Sequence, residues 1–298
     1  LNKEINIPVI EPNGMDSFHF GRVSWPFNVS KDHNLFHINR IENYRDKLSF
    51  PLPPHRKTVY DLIFLTKGKS VRSKGLANYE FGVGQFFFLP PYQITSHEFM
   101  SEDAEGFFVH FDIDILKHYS LDKHLNKFNF LNFLSNPIVA VSKEAINPIL
   151  NIFYRLESLD EADENKQMEL IAFYVFALLK EASMFAENDL KPQKNAAANL
   201  VQRYKEALSQ FIYQKQKVGD YADYLHVTPN HLNKCVKNIT LKSSQDLLNE
   251  MMILEAKSLL KYSNLHIAEI AIKLGNQTPS NFARFFKSKT GMMPKEYK

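Results

Sequence analysis

Apolar residues recur along this chain with two periods, and the period changes with position. Between residues 55 and 112 the spacing is that of short strands. VYDLIFL at 59–65 precedes the turn TKGK, and QFFFL at 85–89 follows Gly82 and Gly84 and stops at Pro90 and Pro91. In GFFVHFD at 106–112, Phe107, Val109 and Phe111 alternate with Phe108, His110 and Asp112. Short strands punctuated by Gly and Pro predict a small antiparallel barrel or sandwich.

The period then lengthens to that of helices. Pro148 is expected to open one, with Ile149, Ile152, Phe153 and Leu156 on a single face. A longer helix is predicted over about 163–187. In it Met168, Ile171, Val175, Leu178, Ala182 and Phe185 alternate steps of three and four, a heptad seam. Leu170, Phe173, Phe176 and Leu179 form a second apolar stripe. Such a helix needs two partners: the preceding helix, and either a second subunit or the rest of its own domain. ENDLKPQKNAAANL at 187–200 is polar, contains Pro192 and lacks apolar periodicity until Leu200, so it is the candidate linker.

Beyond it a helix of about 197–215 leads into a pattern that occurs twice. Val218, Tyr221, Ala222 and Leu225 have the spacing i, i+3, i+4, i+7, and Ile267, Ile270, Ala271 and Leu274 repeat it 49 residues later. Each set is followed by a turn and a helix start. Thr228 and Thr278 are N-cap residues, and Pro229 and Pro279 suit the first helical position. Leu232, Cys235 and Val236 form the buried stripe of one following helix, and Phe282, Phe285 and Phe286 that of the other. The second turn is one residue longer and carries Gly275, suited to a left-handed helix end. Helix, tight turn, helix is the helix-turn-helix arrangement, predicted here twice. Residues 243–263 between the two read as one capped helix, roughly 27–30 Å long at 1.5 Å per residue. That length suits two reading heads about one DNA turn, roughly 34 Å, apart.

Charge sharpens this division. Residues 201–298 hold 15 Lys and Arg against 8 Asp and Glu, while the remainder holds 21 against 25. A basic C-terminal third on a mildly acidic body points to a polyanion at one end only. Of 25 Phe, 21 precede residue 201, so that part has a large aromatic core or an apolar pocket. One cysteine excludes an intrachain disulfide framework and suits a reducing cytoplasm. The first ten residues, LNKEINIPVI, lack the order of an export signal. The apolar run at 171–179 is too short to span a bilayer. The expected location is cytoplasmic.

With these features in place, residues 200–298 resemble the AraC family of bacterial transcription regulators. The resemblance rests on the two predicted helix-turn-helix units, LEAKSLL at 254–260, IAEIAIKLG at 267–275 and FARFFKSKTGMMPKEYK at 282–298. Three positions depart from the family pattern: Asn276 where Phe is usual, Met252 where Arg is frequent, and Leu241 where Gly is usual. The N-terminal part resembles, more loosely, the effector domain of that family through HRKTVYDLIFLTKG at 55–68 and GVGQFFFLPPYQITSHEF at 82–99. The resemblance implies an α+β protein. Residues 1–186 would be a cupin-like antiparallel β-barrel with a helical dimerisation segment. Residues 187–199 would be a linker, and 200–298 an all-α domain with two helix-turn-helix motifs joined by a linker helix.

The residues that would carry this function follow. Toward double-stranded operator DNA they are Thr228, Asn230, His231, Asn233, Lys234 and Lys237 on the first unit, and Thr278, Ser280, Asn281, Arg284 and Lys287 on the second. Arg284 engages guanine O6 and N7 most directly, Lys234 is its counterpart, and Lys237 and Lys287 suit phosphates. Cys235 lies on an apolar stripe and reads as a buried structural thiol. Arg22, Trp25, Arg56 and Tyr60 are the candidate contacts for a small-molecule effector. Met168, Ile171, Val175, Leu178, Ala182 and Phe185 are the candidate homodimer seam. Metal-binding cupins place two His one residue apart, then an acid, then a later His. Here His55 is followed by Arg56 and Lys57, Asp61 is the available acid, and Thr95 stands near the later position with His97 two beyond. No metal, cofactor or catalytic residue is therefore expected, and His110 reads as a packed histidine. The expected function is sequence-specific transcription regulation through an effector in the barrel, with RNA polymerase a partner if the protein activates. The alternatives are regulation by a protein partner, and a cupin enzyme fused to a DNA-binding tail.

Overall fold

The computed structural model describes residues 7–14, 35–75, 77–132, 135–161, 167–186, 196–263, 265–275 and 277–297. The chain divides into two compact units, one within Val9–Pro192 and one within Gln193–Lys298. Most of the expected linker, 187–195, lies outside the described residues.

The first unit is built on two five-stranded sheets. One has the order β1 (Val9–Ile10), β3 (Leu52–Lys57), β8 (Thr95–Met100), β5 (Lys69–Lys74), β6 (Ala77–Gly82). The other has the order β10 (Ile138–Ala140), β7 (Gln85–Leu89), β4 (Tyr60–Lys67), β9 (Glu105–Phe111), β2 (Phe36–Arg40). The strands do not form one closed, wholly antiparallel barrel. The sheets stay separate apart from an isolated bridge between Leu65 and Val83, and β1 runs parallel to β3. The turn TKGK does lie between β4 and β5 and carries the chain from one sheet to the other. Gly68 there has φ 75°, and a Cβ at this position would meet Ala104 Cα at 2.8 Å.

Strand alternation sorts the side chains of the second sheet into two layers. Tyr60, Leu62 and Phe64 of β4 share a core with Phe86, Phe88, Phe107, Val109 and Phe111. That core is completed by the helices α2 (Lys143–Asp160) and α3 (Met168–Ser183), which follow the short α1 (Ile113–Lys117). The alternate residues Ile63, Leu65, Phe87 and Leu89 face the other way, onto Phe81 and Met100 of the first sheet. The aromatic richness of this half thus fills two layers.

One helical expectation is corrected, and of the two covers open to the seam one is observed. Pro148 does not open α2 but lies inside it. Its ring removes one backbone donor, and the helix tolerates this because residues 144 and 148 are exposed, where water satisfies the freed carbonyl. The heptad seam of α3 does not wait for a second subunit. Ile171, Val175, Leu178 and Ala182 are already buried in the unit's own core, at 0–4% exposure, and Met168 and Phe185 pack partly against it. Of the second stripe, Leu179 is buried and Phe176 meets Phe128, whereas Leu170 and Phe173 stay exposed.

The second unit is all-helical: α4 (Ala196–Phe211), α5 (Val218–Tyr224), α6 (Pro229–Thr240), α7 (Ser244–Tyr262), α8 (Ile267–Lys273), α9 (Pro279–Thr290) and α10 (Pro294–Tyr297). Tyr204 and Tyr221 lie at its centre with rings edge to face at 5.6 Å. Each phenol donates to a backbone carbonyl, Tyr204 to Ser244 and Tyr221 to Lys215. Burial pushes both hydroxyls up from their ordinary pKa. Helix α7 opens with a capping box, Ser243 and Asp246. Its 19 residues give a rod of roughly 28 Å.

The ends of α6 and α9 share one turn geometry. Thr240 and Thr290 each accept from the amide two positions on, in the same looped turn. The residue between is Leu241 at φ 60° in one case and Gly291 at φ 80° in the other. A left-handed leucine, 89% exposed, gains nothing from burial to offset its backbone cost. Leu241→Gly is therefore expected to stabilise this unit by about 0.5–1 kcal/mol. A urea titration followed by far-UV circular dichroism checks it, and an unchanged or lowered midpoint contradicts it.

Candidate functional site

The helices α6 and α9 display matching outer faces. Each starts from a threonine whose hydroxyl accepts a backbone N–H: Thr228 from His231 at 3.2 Å, Thr278 from Asn281 at 3.3 Å. Proline at the first position needs no donor there. The inner faces hold Leu232, Cys235 and Val236 on α6, and Phe282 and Phe286 on α9, all buried, with Phe285 half-buried. The helices α5 and α8 precede them, and the turns contain His226 at φ 58° and Gly275 at φ 150°. Asn276 lies outside the described residues.

Exposed on the outer face of α6 are Asn230, His231, Lys234 and Lys237, and on α9 Ser280, Asn281, Arg284 and Lys287. None of Lys234, Lys237, Arg284 and Lys287 forms an ion pair among the described residues. Arg284 is held by its neighbour: Nη2 donates to Asn281 Oδ1 at 2.6 Å. Asn233 behaves differently from the rest of the expected set. It is half-buried, and its Oδ1 accepts from Ser244 N at 3.0 Å, fixing the start of α7. Cys235 Sγ lies 3.7 Å from His231 Nε2.

Of the expected effector residues, the structure describes Arg56 and Tyr60. Arg22 and Trp25 lie outside the described residues. Tyr60 stacks on Phe111 at 5.0 Å in the layer under the helices, not between the sheets. Arg56 is buried and donates through Nε to the Tyr92 carbonyl. Its place on β3 is out of phase with His55 and Lys57.

Between the sheets there is instead a buried polar cluster. Lys57 Nζ and Arg72 Nη2 both reach Asp61 Oδ2, at 2.8 and 2.7 Å. Arg72 Nε donates to Thr95 Oγ1 at 3.2 Å, and that hydroxyl donates to Ser73 O. His97 Nε2 is 2.6 Å from Ser70 Oγ. Lys57 lies 4.6 Å over the Phe108 ring and Arg72 5.7 Å over Phe87. Burial raises the Asp61 carboxyl, but Arg72 and Lys57 outweigh it and hold it far below the usual carboxylate range. Burial brings Lys57 down to about 8 against the pull of Asp61. Burial, then Lys57, brings His55 down to about 3. Burial, then Arg72, brings His97 well below its ordinary value. The sequence hinted at the cluster only through Asp61, a charge at an inward position of an otherwise apolar strand.

The two cations next to Asp61, His55 and His97 set the metal chemistry of this region. A divalent ion here would face both positive charges, and His55 already engages Pro53 O through Nδ1. Protein purified without metal-affinity columns should hold well under about 0.1 equivalent of transition metal per chain, where a filled structural site gives about one. Elemental analysis near one equivalent contradicts this.

Residues 221–298 match a family described as a helix-turn-helix domain. The chain is 26% identical over 145 residues to the uncharacterized HTH-type transcriptional regulator YisR of Bacillus subtilis, covering 47% of this chain and 48% of that protein. It is 29% identical over 87 residues to YobQ, another uncharacterized HTH-type regulator of that organism, covering 29% and 36%. The matches thus span about half or less of these relatives' lengths. ToxT from Vibrio cholerae aligns over 88% of this chain and 97% of its own, at 18% identity, with a TM-score of 0.37 that bears no structural inference. No helix among the described residues is long and apolar enough to cross a membrane. The chain therefore carries, over residues 221–298, a segment that matches a helix-turn-helix domain, and it is similar in part to HTH-type transcriptional regulators.

Proposed function

We propose that this chain is a sequence-specific transcription regulator whose helices α6 and α9 enter successive major grooves of double-stranded DNA. The observation that carries the reading is the matched pair of outer faces. Capped, proline-started helices 50 residues apart present His231, Lys234 and Lys237 on one, and Asn281, Arg284 and Lys287 on the other. Basic side chains without acidic partners are what a phosphate backbone requires, and exposed Arg, Asn and His are what base edges require.

The N-terminal unit, built on two sheets, is proposed to be a cupin-like domain that binds a small-molecule effector. The effector would favour one of two arrangements that present the reading helices differently. The polar cluster between its sheets supports a binding role. The protein is proposed to act as a homodimer, using a surface other than the buried seam of α3, and to engage RNA polymerase if it activates.

The reading is tested by selecting bound sequences from a randomised DNA library, with and without a metabolite panel. Enrichment of one site, altered by a metabolite, is the expected result; no enrichment over random sequence defeats it. Position on the helix assigns a separate role to Lys287, one turn beyond Arg284. Lys287→Ala should weaken binding on all sequences alike and shrink the slope of log affinity against log salt by about one. Fluorescence anisotropy at several salt concentrations measures it, and a change in base preference without a change in slope contradicts it.

A further inference from the structure

We infer that the Lys57–Asp61–Arg72 cluster between the sheets recognises a small hydroxycarboxylate. The inference rests on the reading of the N-terminal unit as an effector-binding unit and gives that effector a chemical class. It starts from a charge count. Lys57 and Arg72 are 4% and 2% exposed and share one carboxylate, Asp61, at 2%. The trio is left with one excess positive charge away from water. Buried ion pairs seldom stabilise more than apolar residues of the same volume, and an uncompensated buried charge is costly. A monoanion between Lys57 and Arg72 removes the excess.

The second observation is on Asp61 itself. Both cations converge on Oδ2. The buried Oδ1 has no hydrogen-bond partner among the described residues. A buried carboxylate oxygen calls for a donor, which the excess cations do not supply and a ligand hydroxyl does. The rest of the cluster fixes the cations in place. Thr95 takes the Arg72 Nε–H, and the faces of Phe87 and Phe108 lie under the two positive groups. The ligand carboxylate goes to Lys57 and the guanidinium fork of Arg72, and its hydroxyl goes to Asp61 Oδ1. A neutral sugar has no use for the excess charge, and a metal cation is repelled by it.

The test is thermal unfolding of the full chain with lactate and gluconate as probes. Propionate is the carboxylate without a hydroxyl, and glycerol and sorbitol are the neutral polyols. At saturation lactate or gluconate should raise the unfolding midpoint by about 3–8 °C. Propionate should bind several-fold more weakly, and the polyols should not shift the midpoint. Lys57→Met should lose the response at least tenfold and Lys57→Arg should keep it. Asp61→Asn should remove the preference for lactate over propionate. If Lys57→Met fails to fold by far-UV circular dichroism, Thr95→Val, which frees the Arg72 guanidinium, is read in its place and should lose affinity likewise.

No shift from either hydroxycarboxylate, equal shifts from the polyols, or an undiminished response in both variants overturns the inference. DNA affinity measured with the same compounds separates it from the reading beneath it. Lactate or gluconate that binds without altering DNA affinity upholds the ligand chemistry and removes the effector role. A neutral polyol that alters DNA affinity upholds that role and overturns the hydroxycarboxylate.

Discussion

Phe153→Ala destabilises the N-terminal unit by about 3–5 kcal/mol, the largest stability loss expected of any single truncation here. The ring is 0% exposed. It stacks on Phe107 at 4.6 Å and 2°, and also meets Phe64 at 5.5 Å and Phe86 at 6.1 Å. These neighbours belong to β9, β4 and β7, whose ladder pairs Phe64 with both Phe86 and Phe107. A cavity left by the ring cannot collapse without breaking that register, so the cavity cost adds to the lost transfer energy. The adjacent Tyr154 is the control. It is 44% exposed and touches Phe107 only edge-on, with Arg40 over its ring at 5.1 Å. Tyr154→Ala should cost about 1 kcal/mol or less. Urea unfolding of both variants followed by far-UV circular dichroism decides it. Equal losses at the two positions contradict the packing described.

The features legible in the sequence were those whose signal is local. The strands β4 and β7 appear as short apolar runs, β9 as apolar alternation, and α6 and α9 as Thr-Pro starts followed by stripes of three and four. The capping box of α7 is written in four consecutive residues. What is not legible depends on distant partners. LPPHRK of β3 and KSVRSK of β5 have no apolar alternation, because their inward positions carry Lys57 and Arg72. The cluster these residues form draws on positions 57, 61, 72 and 95 from four strands, and no spacing rule connects them. The α3 seam shows the converse limit. A heptad is the same whether a second subunit or the chain's own unit covers it, and here the seam joins the unit's own core, beside α1 and α2. Asn233 was legible as a polar position near the reading face but not as the acceptor of a backbone amide eleven residues on.

Arg284→Ala carries the largest functional effect expected. The guanidinium is exposed, has no acidic partner among the described residues, and is oriented by Asn281 at 2.6 Å. An arginine so held presents two donors to guanine O6 and N7 at little further entropic cost. Its removal should cost about 1–3 kcal/mol on the preferred site, roughly 5- to 150-fold in affinity, and relax preference at one or two base pairs. Asn281→Ala should give a smaller loss at the same base pairs, since it frees the guanidinium without removing it.

The expected behaviour is that two helices of one unit read bases. It is tested most directly by selecting bound DNA from one randomised library with the wild-type chain, Lys234→Ala and Arg284→Ala. Two clusters of preferred base pairs are expected about one helical turn apart, roughly 34 Å, in keeping with the α7 rod between α6 and α9. Lys234→Ala should flatten one cluster and Arg284→Ala the other, each leaving its counterpart intact. A single cluster untouched by Arg284→Ala would show that α9 does not read sequence, and preferences unaltered in both variants would show that neither assigned face does.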